Sequence, residues 1–243
     1  MKAKSQLVHK AGRILIIFLF VLTGTLTSVR AIADDALEAA HLVQKARLTF
    51  QNFMTSPDME AFRNLMKSAR GVFISPQVLK GAFLVGASGG SGVFLAFDSK
   101  TGQWSDPAFY TMGELSFGLQ AGGKASEIVL LAMTDRGVKA FLSNSFKLGV
   151  DAGIAAGPVG IGAEAATANL SADIVSYASS KGLFAGISLE GAVIATRNSW
   201  NQAYYGKPTT PTDILVLHNV SNPASAELIN AVQEASLGKP ATK

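Results

Sequence analysis

The spacing of apolar residues predicts a helix at each end of the domain and short strands between them. Residues 34–54 carry apolar side chains every three or four positions, which is the period of one helix face. These side chains include Ala39, Val43, Ala46, Phe50 and Phe53. Ser56–Asp58 contains Pro57, so it ends this helix and begins a second one. The helical period returns at residues 223–236.

The central part of the chain has short apolar runs that predict strands. The clearest runs are Val93–Phe97, Ile128–Met133, Ile174–Tyr177 and Val193–Thr196. Ser88–Ser91 contains two glycines and predicts a hairpin turn. Of the 24 glycines, 20 lie within residues 71–191, and strand glycine favours sharp curvature or close backbone approach. The predicted fold class is α+β, with a curled, glycine-rich, antiparallel, barrel-like sheet packed with N- and C-terminal helices.

The first 33 residues have the three-part pattern of a secretory signal peptide. A basic start precedes the uncharged apolar run Ile14–Val29, and Ala31-Ile32-Ala33 supplies a small-x-small cleavage site. The run is shorter than the roughly 20 residues of a membrane-spanning helix. We therefore expect cleavage after Ala33, a single mature domain over residues 34–243, and export to a bacterial periplasm or envelope. The alternative is an uncleaved N-terminal anchor.

The charge of the chain changes once this segment is removed. The whole chain has a net charge of +4, from 21 basic and 17 acidic residues. Five of the basic residues lie in the segment, so the mature domain has 16 basic residues and a net charge of −1. This argues against nucleic acid as a partner, because such binding needs phosphate neutralisation by an excess of cations. The absence of cysteine excludes disulfides and a thiolate nucleophile or metal site.

One catalytic motif occurs in the chain. Residues 86–90 match the G-x-S-x-G nucleophile elbow around Ser88, and Asp213 and His218 follow in the order of a hydrolase triad. An elbow must lead from a strand into a helix, whereas a predicted strand follows here. A periplasmic serine hydrolase using Ser88 with His218 as its base is therefore the alternative function. With only His41 and His218 in the mature domain, and far apart, we expect no metal site and no cofactor.

A cluster of basic residues is the predicted membrane contact. Arg63, Lys67 and Arg70 are spaced i, i+4 and i+7, which would place them on one face of the second helix. Lys45, Arg47 and Lys80 extend the predicted lipid-binding set. Each basic side chain near an anionic surface contributes about 1 kcal/mol. Phe50 and Phe53 are the apolar side chains that could insert, and a merely solvated face over a packed core is the alternative.

Several blocks, occurring in order along the chain, resemble the SYLF domain family. They are Ala69–Pro76, Gly86–Gly92, Trp104–Phe109, Ser116–Gly122, Phe146–Ala152, Ala156–Gly160, Tyr177–Gly191 and Tyr204–Gly206. SYLF domains are lipid-binding domains of bacteria and of eukaryotic endocytic and actin-associated proteins. The resemblance implies a compact α+β domain that binds phospholipid, with phosphoinositides as ligands of eukaryotic members, and it supplies no catalytic residue.

The function expected from the resemblance and from the missing catalytic set is non-enzymatic. We expect an exported domain that binds phospholipid or an anionic membrane surface. Actin is not an expected partner, because an exported protein does not meet cytoplasmic actin. A purely structural envelope protein is the remaining alternative.

Overall fold

The computed structural model describes residues 33–83, 85–117, 122–160 and 171–239. The predicted signal segment lies outside the described residues, apart from Ala33. None of the helices within the described ranges is both long enough and apolar enough to cross a membrane.

The helices lie at both ends of the domain, as the apolar spacing predicts. The first, α1, covers residues 33–55, and a 3₁₀ turn at Pro57–Met59 leads into the second. The others are α2 (Glu60–Met66), α3 (Asp135–Ala140), α4 (Asn198–Tyr205), α5 (Pro211–Leu215) and α6 (Ala226–Ser236). The short α3 is capped by Thr134, whose hydroxyl accepts from the Gly137 N–H.

The strands form one curled sheet that resembles half a barrel. They are β1 (Gly71–Phe83), β2 (Val85–Asp98), β3 (Gln103–Trp104), β4 (Ala108–Phe117), β5 (Gly122–Ala132), β6 (Ser145–Lys147), β7 (Ile154–Ala156), β8 (Ile174–Ser180), β9 (Leu183–Gly186) and β10 (Val193–Thr196). Their order is β6-β10-β4-β2-β1-β5-β8-β7, with β3 paired to β2 and β9 to β8. The α+β class is confirmed, with one parallel pair, β7 and β8, in an otherwise antiparallel sheet.

The predicted hairpin turn at Ser88–Ser91 is wrong. These residues lie inside β2 and pair with β1 on one side and β4 on the other, and the pairing of β1 with β2 continues past them to Phe83 and Val85. The glycines of this segment allow close approach rather than a change of direction. A Cβ on Gly90 would lie 2.3 Å from the carbonyl oxygen of Gln77.

A β-bulge interrupts β1 at Ser75 and Pro76. The register shifts between Ile74 and Gln77 against β2, and between Ser75 and Val78 against β5. Proline has no N–H to donate to a neighbouring strand, so inside a sheet it is confined to an edge or a bulge. The Ser75 hydroxyl donates a hydrogen bond of 2.9 Å to the Ser91 carbonyl across the bulge.

Each face of the sheet has its own hydrophobic core. On the convex face, alternate residues such as Val72, Ile74 and Val93 pack against α1, α2, α4 and α6. On the concave face, Phe73, Phe94 and Tyr110 pack around Phe141, which follows α3. The Phe94 and Phe141 rings stack with centroids 3.7 Å apart. The concave core is therefore filled by aromatic rings at the end of the sheet next to α3.

Glycines give the concave aromatic rings their space. Phe73 lies over Gly92 of the neighbouring strand, and Phe94 lies over Gly71. A Cβ on Gly92 would be 2.4 Å from the Phe73 ring and 2.8 Å from the Ile74 carbonyl oxygen. Real Cβ atoms do not approach so closely, so these strand positions require glycine.

We expect Gly92→Ala to destabilise the domain by about 1–3 kcal/mol, because the added methyl overpacks a closed core. Urea unfolding followed by circular dichroism measures the change. Gly89→Ala is the matched control on the same strand, since its Cβ would make only an ordinary 3.6 Å contact with the Met112 carbonyl oxygen. Equal stability of the two variants would contradict the role given to the aromatic rings.

Candidate functional site

Helix α1 is fixed on the convex face of the sheet. The Trp200 indole N–H donates a hydrogen bond of 3.1 Å to the Asp35 carboxylate at the start of α1, and the Arg197 guanidinium lies 3.5 Å from the centre of that ring. Phe50 and Phe53 are only 1% and 0% exposed. The alternative of a packed core is therefore confirmed for these two rings, and the hypothesis that they enter a membrane is contradicted.

A polar groove of about 960 Å³ lies between α1 and the sheet beside the bulge at Pro76, and we call it the α1 groove. The Thr49 hydroxyl donates a hydrogen bond of 2.9 Å to the Glu127 carboxylate and so links α1 to β5. Much of the remaining lining consists of hydroxyl and amide side chains, those of Asn52, Thr55, Ser56, Gln77, Ser126 and Ser179. Such groups donate and accept hydrogen bonds, and Leu48, Pro76 and Phe184 add apolar surface, so the groove suits a ligand with a polar and an apolar part.

Two exposed lysines line the α1 groove. Lys45 lies on α1, and Lys181 lies in the turn between β8 and β9. Lys181 and Gly182 have φ angles of 53° and 78°, the left-handed pair typical of a two-residue hairpin turn. Neither lysine forms an ion pair with a described residue. The described lining of the groove thus carries two positive charges against one negative charge, that of Glu127, whose carboxylate accepts a hydrogen bond from Thr49.

Two arginines of the predicted lipid-binding set form ion pairs within the domain. Arg47 lies 3.1 Å from the Glu227 carboxylate of α6, and Arg70 pairs with Asp135 of α3. These pairs reach solvent, so each contributes little to stability. They do reduce the local excess of positive charge at both arginines.

Arg63 and Lys67 also have partners within the domain. The Arg63 guanidinium donates to the carbonyl oxygens of Met54 and Ser56, at 3.3 and 2.6 Å. These oxygens lie at or just after the end of α1, where carbonyls have no helical partner. The Lys67 ammonium donates to the Asn64 side chain at 2.9 Å. Arg63 is therefore a capping residue for α1.

The predicted shared helix face of Arg63, Lys67 and Arg70 is wrong. Helix α2 ends at Met66, and Arg70 lies in the bend before β1. The Arg70 N–H donates to the Ala132 carbonyl oxygen at 2.8 Å, so its backbone already belongs to the sheet. The i+7 spacing had assumed one more helical turn than the chain makes.

Lys45 and Lys80 are the two members of the predicted set whose side chains form neither an ion pair nor a hydrogen bond with a described residue. They lie on different faces of the sheet, because Lys45 lines the α1 groove and Lys80 lines a cavity on the concave side. The structure thus does not gather the six cations into one patch. Instead, Lys181 lines the α1 groove together with Lys45. In the sequence, Lys181 is recognisable only as the middle residue of Ser180-Lys181-Gly182, a pattern typical of a turn.

The residues of the alternative hydrolase are far apart. Ser88 lies near the start of β2, so strand rather than helix follows it. His218 lies 3.8 Å from Asp98, at the other end of the same strand, which places it about 30 Å from Ser88 at 3.3 Å per residue. The pKa of Asp98 is lowered, chiefly by the Lys100 N–H and only in smaller part by His218. Across the described ranges, no three His, Asp or Glu side chains are grouped as metal ligands.

The chain is similar in sequence to a known protein family and to several of its members. The family model for Ysc84, described as Las17-binding protein actin regulator, matches residues 113–235. SH3 domain-containing YSC84-like protein 1 of Bos taurus and that of Homo sapiens are each 34% identical over 197 residues, 80% of this chain and 56% of the relative. LAS seventeen-binding protein 3 of Saccharomyces cerevisiae is 33% identical over 190 residues, which are 76% of this chain and 40% of the relative. The chain thus spans about half the length of the relatives it matches.

We expect Arg63→Met to destabilise the domain by about 1.5–3 kcal/mol, because two carbonyl oxygens at the end of α1 lose a charged donor. Lys67→Met is the control, since Lys67 is exposed and donates only to a side chain on its own helix, and it should change stability by less than about 0.5 kcal/mol. Urea titration measures both. Equal losses would show that Arg63 does not cap α1.

Proposed function

Since the chain belongs to the Ysc84 family, whose shared domain is the SYLF domain, we propose that it is an exported, non-enzymatic protein that binds phospholipid at a membrane surface. The observation that carries the proposal is the α1 groove, in which two lysines flank a lining of hydroxyl and amide groups. A lipid phosphate offers acceptors to the lysines, and a polar headgroup offers partners to the hydroxyls. The separation of Ser88 from His218 supports a binding role rather than hydrolysis.

Local charge is what this binding depends on. The domain after the predicted cleavage site has a net charge of −1, so no general attraction to an anionic surface is available. Lys45 and Lys181 each contribute about 1 kcal/mol near such a surface, which predicts a weak contact that salt disrupts.

An exposed leucine beside Lys45 adds an apolar contribution. Leu48 lies one helical turn from Lys45, lines the α1 groove and is 52% exposed. Long cationic side chains with neighbouring apolar ones are typical of surfaces that lie against a bilayer. Leu48 therefore takes the inserting role that the buried Phe50 and Phe53 cannot fill.

The proposed location separates this chain from the partners named for its relatives. LAS seventeen-binding protein 3 is named for binding LAS seventeen, and the family description names an actin regulator. An exported domain does not share a compartment with cytoplasmic actin. We therefore propose lipid, rather than actin or an actin regulator, as the partner in the periplasm or envelope.

The double variant Lys45→Glu/Lys181→Glu should lose most of its binding to vesicles of anionic phospholipid, because four units of charge change at one groove. Co-sedimentation with vesicles that contain about 30% phosphatidylglycerol, at low and at high salt, measures the effect. Salt should no longer weaken the remaining binding, because the attraction that it screens is gone.

The control for this experiment is Lys100→Glu/Lys139→Glu, which makes the same charge change at exposed lysines near the opposite end of the strands. It should bind vesicles nearly as well as the unaltered protein. The groove is the wrong site if the two double variants lose binding equally, and the proposed function fails if the unaltered protein binds no vesicle.

Export predicts a mature protein that begins at Asp34. N-terminal sequencing of protein isolated from the envelope fraction of the producing bacterium tests this, with Ala33→Arg as a variant whose cleavage should be blocked because the site requires a small residue. Recovery of the intact N-terminus from unaltered protein would favour the uncleaved anchor.

A further inference from the structure

A second cavity, of about 250 Å³, opens on the concave face of the sheet, and we call it the concave pocket. Its floor is formed by strand residues Val78, Met112, Ile128 and Ala178. The segment after β9, through Ile187 to Ala192, covers one side. It therefore lies across the sheet from the α1 groove.

The concave pocket is hollow because side-chain size falls along this face. Near α3, the rings of Phe73, Phe94 and Phe141 fill the curve of the sheet. Toward the pocket the lining becomes small, with Ala178 and Ala192 in place of aromatic rings. The same curvature therefore encloses a packed core at one end and open space at the other.

The volume of the concave pocket limits what can occupy it. At about 250 Å³ it is smaller than the roughly 300–1,000 Å³ of pockets for drug-sized ligands. A diacyl lipid would therefore not fit inside, whereas one unbranched hydrocarbon chain would. Its aliphatic floor offers such a chain contact on several sides, which is the arrangement that removes apolar area from water.

The charge at the concave pocket identifies the head of that chain. Lys80 is the single charged residue among its described lining residues, and it is exposed, so it stands where the pocket meets solvent. It forms no ion pair with a described residue. An anionic head beside Lys80, with the chain running over Val78 and Ile128, pairs both parts of an amphiphile with matching surfaces.

We propose that the concave pocket binds one acyl chain of a single-chain anionic amphiphile, with its head at Lys80. This inference deepens the proposed lipid-binding function and rests on it, but it places the chain on the opposite face of the sheet from the headgroup contact at the α1 groove. A fatty acid and a lysophospholipid share this chemistry, and the experiment separates them.

The test is displacement of the fluorescent fatty acid cis-parinaric acid from the full mature chain. Octanoate, decanoate and dodecanoate should compete with affinities that rise about fourfold per added methylene until the pocket is full. A lysophosphatidylglycerol with a dodecanoyl chain is compared with dodecanoate, and the tighter of the two identifies the source of the chain. No displacement by either, or no dependence on chain length, overturns the proposal.

Variants locate the binding within the concave pocket. Ala178→Leu fills the floor and should weaken dodecanoate at least tenfold. Ala185→Phe, at an exposed lining position, should do the same if the core does not accept the larger side chain at residue 178. Lys80→Gln should weaken dodecanoate but leave dodecanol, its uncharged counterpart, unchanged. Dodecanoate binding that survives both filled variants overturns the proposal.

The two lipid sites fail separately. Ala178→Leu or Ala185→Phe should still sediment with anionic vesicles, and Lys45→Glu/Lys181→Glu should still bind dodecanoate. Vesicle binding without displacement of the fluorescent probe would contradict the concave pocket alone. Displacement without vesicle binding would contradict the surface contact and leave the acyl chain as the ligand.

Discussion

The bulge at Ser75 and Pro76 is the constraint on which both candidate sites depend. A central strand that contains proline cannot keep its ladder on both sides, so β1 accommodates one extra residue and bends. The extra residue also exchanges the faces of the strand. Ile74 packs in the convex core before the bulge, whereas Val78 packs in the concave core after it.

This exchange places different chemistry on the two faces at one end of the sheet. Pro76 and Gln77 both line the α1 groove, and Lys80 follows Val78 into the lining of the concave pocket. Without the bulge, Lys80 would face α1 and Leu79 would face the concave side. The α1 groove and the concave pocket thus both result from one irregularity, and they lie on opposite faces of the three strands β1, β5 and β8.

The helices and the fold class could be predicted from the sequence because they depend on local periodicity. Phe50 and Phe53 have the spacing of a buried helix face, and they are buried. The structure of Ser88–Ser91 could not be predicted in the same way. Glycine is favoured both in turns and at strand positions that lie close to a neighbouring strand, so its presence does not distinguish a turn from a strand. Only the neighbouring strand distinguishes the two uses.

The positions of the cations also depend on contacts between residues far apart in the sequence. The Arg70 N–H donates to the carbonyl oxygen of Ala132 in β5, so Arg70 belongs to the sheet and not to the helix. Lys181 comes close to Lys45 because β8 pairs with β9.

The contact between Asp35 and Trp200 has a consequence for the order of events in folding. It joins residues 165 positions apart in the chain, and the bond between Trp104 and Ser236 spans 132. A chain that emerges from its N-terminus exposes the apolar side of α1 long before Trp200 is available to it. Contacts of such long sequence separation close slowly, since loop entropy must be overcome first. Among the described elements, helix α1 is therefore the first to emerge. Its phenylalanines can meet Phe62 of α2 early, but the apolar side of α1 that packs on the sheet and on α4 stays accessible to chaperones and to other chains until those elements have formed.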